Sequence, residues 1–147
     1  MYINREKHSL NDKGRLIIPK KSILTKENDI LLVRENSLTF SLYNIDEYNK
    51  ILEELKIKKS KAIDSGNSGI VNYIDNQINR IMVNILGRQK IDSQNRIIIL
   101  ENVRKMYEIE KSVLLCNGDN HIKVFKDEEK LDEYEKSLIN TISMRQQ

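Results

Sequence analysis

A chain of 147 residues, 39% hydrophobic and 32% charged, has room for one ordinary domain or two very small, intimately packed ones, and excludes a long autonomous second domain. The single cysteine, Cys116, cannot form an internal disulfide, and two histidines leave little from which to build a metal cage. The first twenty residues lack the apolar core of a signal peptide and no run is long and apolar enough to span a bilayer, so the expectation is a cytoplasmic protein with no membrane partner. The net charge is only +3, but residues 1 to 61 hold 13 basic against 9 acidic side chains, and residues 62 to 147 hold 12 against 13. An N-terminal basic excess points toward a polyanion, although an ordinary solvated surface produces the same imbalance.

In chain order, the first apolar element is the strand Leu16 to Ile18, a short wholly apolar run expected to be buried. Pro19 closes it and begins a short helical turn through Ile23. Residues 30 to 43 predict a hairpin with its loop at Glu35-Asn36, in which Leu38, Phe40 and Leu42 alternate with polar neighbours to give one buried face. Asp46 then caps a helix whose apolar stripe is Tyr48, Ile51, Leu52 and Leu55. Lysines, serines and glycines without periodicity at 56 to 69 predict a linker, and Ile74, Ile78, Ile81 and Ile85 mark a central helix. The strand Ile97 to Ile99, a hairpin turning at Asn117 to Asn120, and a charged helix carrying Leu131, Tyr134, Leu138 and Ile142 complete the chain.

The second set of elements repeats the first. NDKGRLIIP at 11 to 19 matches DSQNRIIIL at 92 to 100, which aligns Arg15 with Arg96, and ILLVRENSLTFSLY at 30 to 43 has the pattern of SVLLCNGDNHIKVF at 112 to 125. Two copies are too few for a solenoid, so the expectation is an α+β fold in which a pseudo-symmetric pair of halves shares one core. The halves span 5 to 47 and 82 to 128, separated by the helix, linker and central helix of 48 to 81, and 129 to 147 form the C-terminal helix.

The candidate site is the pair of turns ahead of the two apolar strands. Gly14 can adopt the positive φ of a tight turn, which would project Lys13 and Arg15 from a rigid edge. Arginine can fork onto guanine O6 and N7 or onto a phosphate, and lysine adds a mobile charge. In the second turn Asn95 stands for Gly14 and Gln94 for Lys13, beside Arg96, so this copy keeps the geometry and offers less phosphate attraction. Asn11, Asp12 and Asp92 are the residues expected to stabilise the turns. A side chain four residues before an arginine also explains the pattern with no ligand involved, simply by holding the loop together.

From His8 to Pro19 the run H-S-L-N-D-K-G-R-L-I-I-P, its diverged copy with D-S-Q-N-R, and the spacing from Arg80 to Arg96 through the central helix resemble the MraZ family over nearly the whole chain. That resemblance implies two swapped-hairpin, SpoVT-AbrB-like β-barrel halves with flanking helices. It also implies a nucleoid-associated bacterial transcription regulator that assembles into homo-oligomeric rings on repeated boxes of double-stranded DNA upstream of a division and cell-wall gene cluster, with no cofactor and no small-molecule substrate. The family pattern places aspartate four residues before each arginine. Asp92 keeps it, whereas Asn11 retains the hydrogen-bonding cap and loses the charge. Asn95 for glycine and Leu100 for proline are further departures in the second half.

Other chemistry is thinly represented. His8 reads as a hydrogen-bonded structural residue beside a strand, and Cys116 with His121 lacks the third group of a nucleophilic site, so the expectation is not an enzyme. No aromatic residue lies in either turn, which favours duplex over single-stranded nucleic acid. The competing reading is a protein-interaction module, antitoxin-like or a ring scaffold, without sequence-specific DNA binding.

Overall fold

The computed structural model describes residues 5–146. Its element order is β1 (Arg5–Ser9), β2 (Arg15–Ile17), β3 (Asp29–Arg34), β4 (Thr39–Asn44), α1 (Ile45–Asp64), α2 (Ser68–Val83), β5 (Ile85–Lys90), β6 (Arg96–Ile98), α3 (Glu101–Met106), β7 (Ser112–Asn117), β8 (Ile122–Phe125) and α4 (Glu128–Gln146). The fold is therefore α+β. Six strands form an antiparallel sheet in the order β1-β7-β8-β4-β3-β5, while β2 and β6 pair with each other in a separate ribbon. No closed barrel is formed among the described residues, because β1 and β5 are left as the edges of the large sheet.

The internal repeat is visible as symmetry of the sheet. Exchanging β1 with β5, β7 with β3 and β8 with β4 reproduces the strand order. Each edge strand also crosses to the other half: β1 pairs with β7, and β5 pairs with β3. In the ribbon Leu16 lies opposite Ile97, its own repeat equivalent, so the pseudo-twofold axis passes through that pair.

Alternation along the strands decides where the core lies. Leu16, Ile18, Ile97 and Ile99 turn inward and are at most 1% exposed, packed with Ile30, Leu32, Phe40, Leu42, Ile122 and Val124 from the sheet. Burying each such side chain stabilises the fold by ~1.5–3 kcal/mol. Ile17 and Ile98, at the centres of the two apolar runs, are instead 60% and 40% exposed, so the runs are buried on one face only. The opposite face of the large sheet is covered in two patches. Tyr48 of α1, with Ile81 of α2, packs on Leu31 and Val33, and Leu131 and Tyr134 of α4 pack on Leu114, Cys116 and Phe125. Consequently the polar residues of β4 are not solvated as their alternation suggested. Thr39 and Ser41 are fully buried, with Thr39 donating to the Val124 carbonyl at 2.8 Å and Ser41 to Glu35, which also pairs with buried Lys123.

Several boundaries differ from the sequence expectation. Pro19 initiates only a turn, closed by Ser22 N–H on the Pro19 carbonyl at 3.0 Å, whereas the matching stretch after β6 forms the helix α3. The expected linker is helical as far as Asp64: its lysines and Ala62 are compatible with a helix, Ala62 is buried, and Lys59 pairs with Asp75 of α2 at 2.7 Å. Gly66 at φ +71° then reverses the chain, and the Asn67 side chain caps α2 by accepting from Ile70 N–H. Helix α1 begins at Ile45 with no side-chain cap, so Asp46 lies in its first turn and contributes through the helix dipole. Helix α2 ends at Val83, leaving Ile85 as the first residue of β5. Leu138 is half-buried on α4, and the side chain of Ile142 lies outside the described residues.

Candidate nucleic-acid interface

Both turns close with the same backbone bonds. In the first, Asn11 N–H donates to the Arg15 carbonyl at 3.1 Å and Gly14 N–H to the Asn11 carbonyl at 2.9 Å; in the second, Asp92 N–H donates to the Arg96 carbonyl at 2.9 Å and Asn95 N–H to the Asp92 carbonyl at 3.0 Å. The side chain at the first position fastens each loop. Asn11 Oδ1 accepts from Lys13 N–H at 3.0 Å and Arg15 N–H at 2.8 Å, and Asp92 Oδ1 accepts from Gln94 N–H at 2.9 Å and Arg96 N–H at 2.8 Å. Asp12 makes none of these bonds. It stands exposed at the next position, and the side-chain hydrogen bonds that close this turn come from Asn11.

The left-handed position differs between the copies. Gly14 sits at φ +77°, and a Cβ there would lie 2.7 Å from Arg104 Nε and 2.8 Å from the Ile99 carbonyl oxygen. Glycine is thus required twice, by the backbone angle and by the approach of α3. Asn95 adopts φ 63°, and its side chain donates to the Ile18 carbonyl, which offsets the strain of the left-handed conformation. The ribbon ties the turns together, since Ile99 N–H donates to the Gly14 carbonyl and Ile18 N–H to the Asn95 carbonyl, both at 2.8 Å.

Register then fixes what the ribbon presents. Arg15 lies opposite Ile98 and Ile17 opposite Arg96. Directly opposed residues share a face, so these four side chains cover the outer side of the ribbon while Leu16 and Ile97 fill the inner side. The two turns therefore stand at opposite ends of one surface, with exposed Lys13 at one tip and exposed Gln94 at the other.

The two arginines are held differently. Arg96 Nε donates to Asp92 Oδ2 at 3.0 Å. Desolvation works to raise the Asp92 pKa, but the hydrogen bonds it accepts from the Arg96 backbone and side chain and from Gln94 outweigh this and keep it below the ordinary carboxylate value. Arg15 is half-buried, and among the described residues its guanidinium has no acceptor. Among the described residues Lys13 likewise bonds through its backbone N–H and not through its ammonium.

Two residues at this surface carried no motif signal. Arg104, from α3, donates through Nε to the Ile99 carbonyl at 2.9 Å and lies against Gly14, adding a third cation beside Lys13 and Arg15. The repeat could not reveal it, because the first half has a turn where α3 stands. Gln89 of β5 clasps the ribbon edge, donating to the Ile98 carbonyl and accepting from Ile98 N–H, a pairing set by how β5 and β6 approach in space.

The remaining reactive side chains lie elsewhere. Cys116 is fully buried beneath α4, and desolvation pushes its thiol up to about 11, which leaves it protonated at neutral pH. His121 accompanies Asn120 at 2.8 Å and stacks on Tyr43 with centroids 5.0 Å apart; burial and nearby Lys123 lower its pKa. His8 lies 3.2 Å from Glu6 within β1. Among the described residues no group of three or more His, Cys, Asp or Glu is placed to hold a metal ion, and no helix is long and apolar enough to cross a membrane. No protein-family model matches the chain.

Proposed function

We propose that this chain is a sequence-specific double-stranded-DNA-binding regulator that meets the duplex with the outer face of the β2–β6 ribbon and the two turns at its ends. The observation that carries this reading is the Arg15 guanidinium. It has no acceptor among the described residues, yet its backbone is fixed by Asn11, by Gly14 and by pairing with β6. A cation held in place without a partner is preorganised for an external acceptor. Lys13 and Arg104 beside it supply phosphate attraction, and a two-stranded ribbon is narrow enough for the ~12 Å major groove.

The finer features of the proposal follow the resemblance to the MraZ family. The crossing of β1 to β7, of β5 to β3 and of β2 to β6 supports reading the two halves as swapped hairpins of the SpoVT-AbrB kind. A homo-oligomeric ring on repeated boxes, acting in the cytoplasm at the nucleoid, belongs to the same proposal. Linked copies would raise the avidity of individually weak turns through effective concentration.

The test is duplex binding with the DNA immediately upstream of the protein's own gene at two salt concentrations. Affinity falls steeply with salt, and Arg15→Ala costs about 1–3 kcal/mol of binding if the residue meets a base. An Arg15→Ala protein that binds as tightly as the parent overturns the assignment. The competing interaction-module reading has one observation in its favour, the exposed Ile57, Ile63, Ile70 and Tyr73 on the α1–α2 hairpin. It predicts large particles on sizing and no mobility shift with any duplex.

A further inference from the structure

Ile17 and Ile98 are β-branched side chains left in the open at equivalent positions of the repeat, 60% and 40% exposed, in the middle of a face otherwise made of arginines. Each stands directly across the ribbon from a guanidinium: Ile98 opposite Arg15, and Ile17 opposite Arg96. Cβ atoms of directly opposed residues are roughly 5 Å apart, a distance within reach of one base step of about 3.4 Å. The surroundings favour an anionic partner, with Lys13, Arg15 and Arg104 at one end, while Asp12 is the exposed acid of that turn and Asp92 is engaged by Arg96.

From this arrangement we infer that Ile98 and Ile17 read thymine methyl groups in the major groove, each beside a guanine bound by the arginine across from it. The inference rests on the reading that this face meets duplex DNA, and it names what the duplex must contain. The thymine C5-methyl is the apolar group on the major-groove edge of the standard bases, so an isoleucine carried into the groove has that one complementary surface. Among the described residues the Arg15 guanidinium has no acceptor whereas Arg96 is already paired, so the Arg15–Ile98 couple dominates and the Arg96–Ile17 couple supports it.

The experiment uses the full chain and the duplex it enriches from a pool with a randomised centre, prepared once with thymine and once with uracil, which lacks only the methyl group. The parent protein loses about fourfold in affinity for each contacted methyl removed. Ile98→Ala binds the thymine duplex more weakly and no longer distinguishes it from the uracil form; Ile17→Ala shows the same effect to a smaller degree. Ile98→Val, which keeps the β-branch, falls between, and melting curves confirm that each variant folds. Equal affinity of the parent protein for both duplexes overturns the methyl reading while leaving DNA binding intact. So does an Ile98→Ala protein with undiminished preference for thymine, or one whose particle size changes with no change in binding, which would make the patch a contact between copies. A selection that enriches no duplex defeats the underlying DNA reading and the inference with it.

Discussion

The two turns are the same loop in backbone and opposite loops in electrostatics. Asn11 and Asp92 each fasten two backbone N–H groups, but only the aspartate also takes the guanidinium four residues on. With the neutral cap Arg15 keeps a guanidinium without an acceptor among the described residues, whereas the charged cap engages Arg96. At the left-handed position the contrast runs the other way. Gly14 makes room for Arg104, while Asn95 spends its side chain on the Ile18 carbonyl. One copy is arranged around a cation with no acceptor among the described residues and the other around its own internal bonds, so duplicated backbones need not carry the same electrostatics.

Substitution at Gly14 strikes that difference hardest. Gly14→Ala must place a methyl group against Arg104 and the Ile99 carbonyl at a positive φ, and it is expected to destabilise the protein by about 2–4 kcal/mol in urea unfolding. A midpoint equal to that of the parent would show that α3 does not press on the turn. Next in size is Asn11→Ala, which strands the Lys13 and Arg15 amides and should cost about 1–2 kcal/mol. It should also weaken DNA binding more than it weakens the fold, because Arg15 loses its fixed base. A variant with normal stability and normal binding would remove Asn11 from the account.

The smallest effect is the most diagnostic. Asp92→Asn converts the second turn to the chemistry of the first. The amide still accepts the two backbone hydrogen bonds, while Arg96 loses its counterion and becomes available, so duplex affinity should rise a few-fold with a larger salt dependence. Unchanged affinity would mean that the second turn stays off the DNA whatever its charge. Acid titration sharpens the point. Folding lowers the Asp92 pKa from its ordinary value near 3.8, so its stabilising contribution is complete above that value and is lost as pH falls toward the lower folded one. Asp92→Asn should erase this part of the acid sensitivity, and an NMR titration of the Asp92 carboxyl at or above 3.8 would contradict the pairing.

Much of the turns' geometry is legible in the sequence. The repeat aligned Arg15 with Arg96, and Gly14 and Asn95 fell where a left-handed residue was needed, because turn chemistry is local. Asn11 and Asp92 are legible as caps for the same reason, while the side-chain bonds of the first turn come from Asn11 and not from the neighbouring Asp12. Arg104 and Gln89 were not legible. Both reach the ribbon from elements that the repeat does not place there, and no local pattern reports which distant side chain will fill a space.

The helices taught a parallel lesson. A lysine-rich stretch without apolar period reads as a linker, yet α1 runs through it, since helix propensity, the buried Ala62 and the ion pair from Lys59 to Asp75 on α2 suffice without an apolar stripe. In β4 the polar residues that alternate with Phe40 and Leu42, Thr39 and Ser41, are buried as well, and they donate to the Val124 carbonyl and to Glu35.

By itself the sequence determined the duplication, the two tight turns, the hairpins and the inward-facing Leu16, Ile18, Ile97 and Ile99, because each depends on short-range backbone preference or on the period-two burial of a strand. Only the tertiary structure decided that β1 and β5 cross to the opposite halves, that β2 and β6 form one ribbon, and that Arg15, Ile17, Ile98 and Arg96 share its open side. Pairing between strands so distant in the chain depends on which edges remain unsatisfied once every other strand has found its neighbour, and that competition is settled by the whole chain at once.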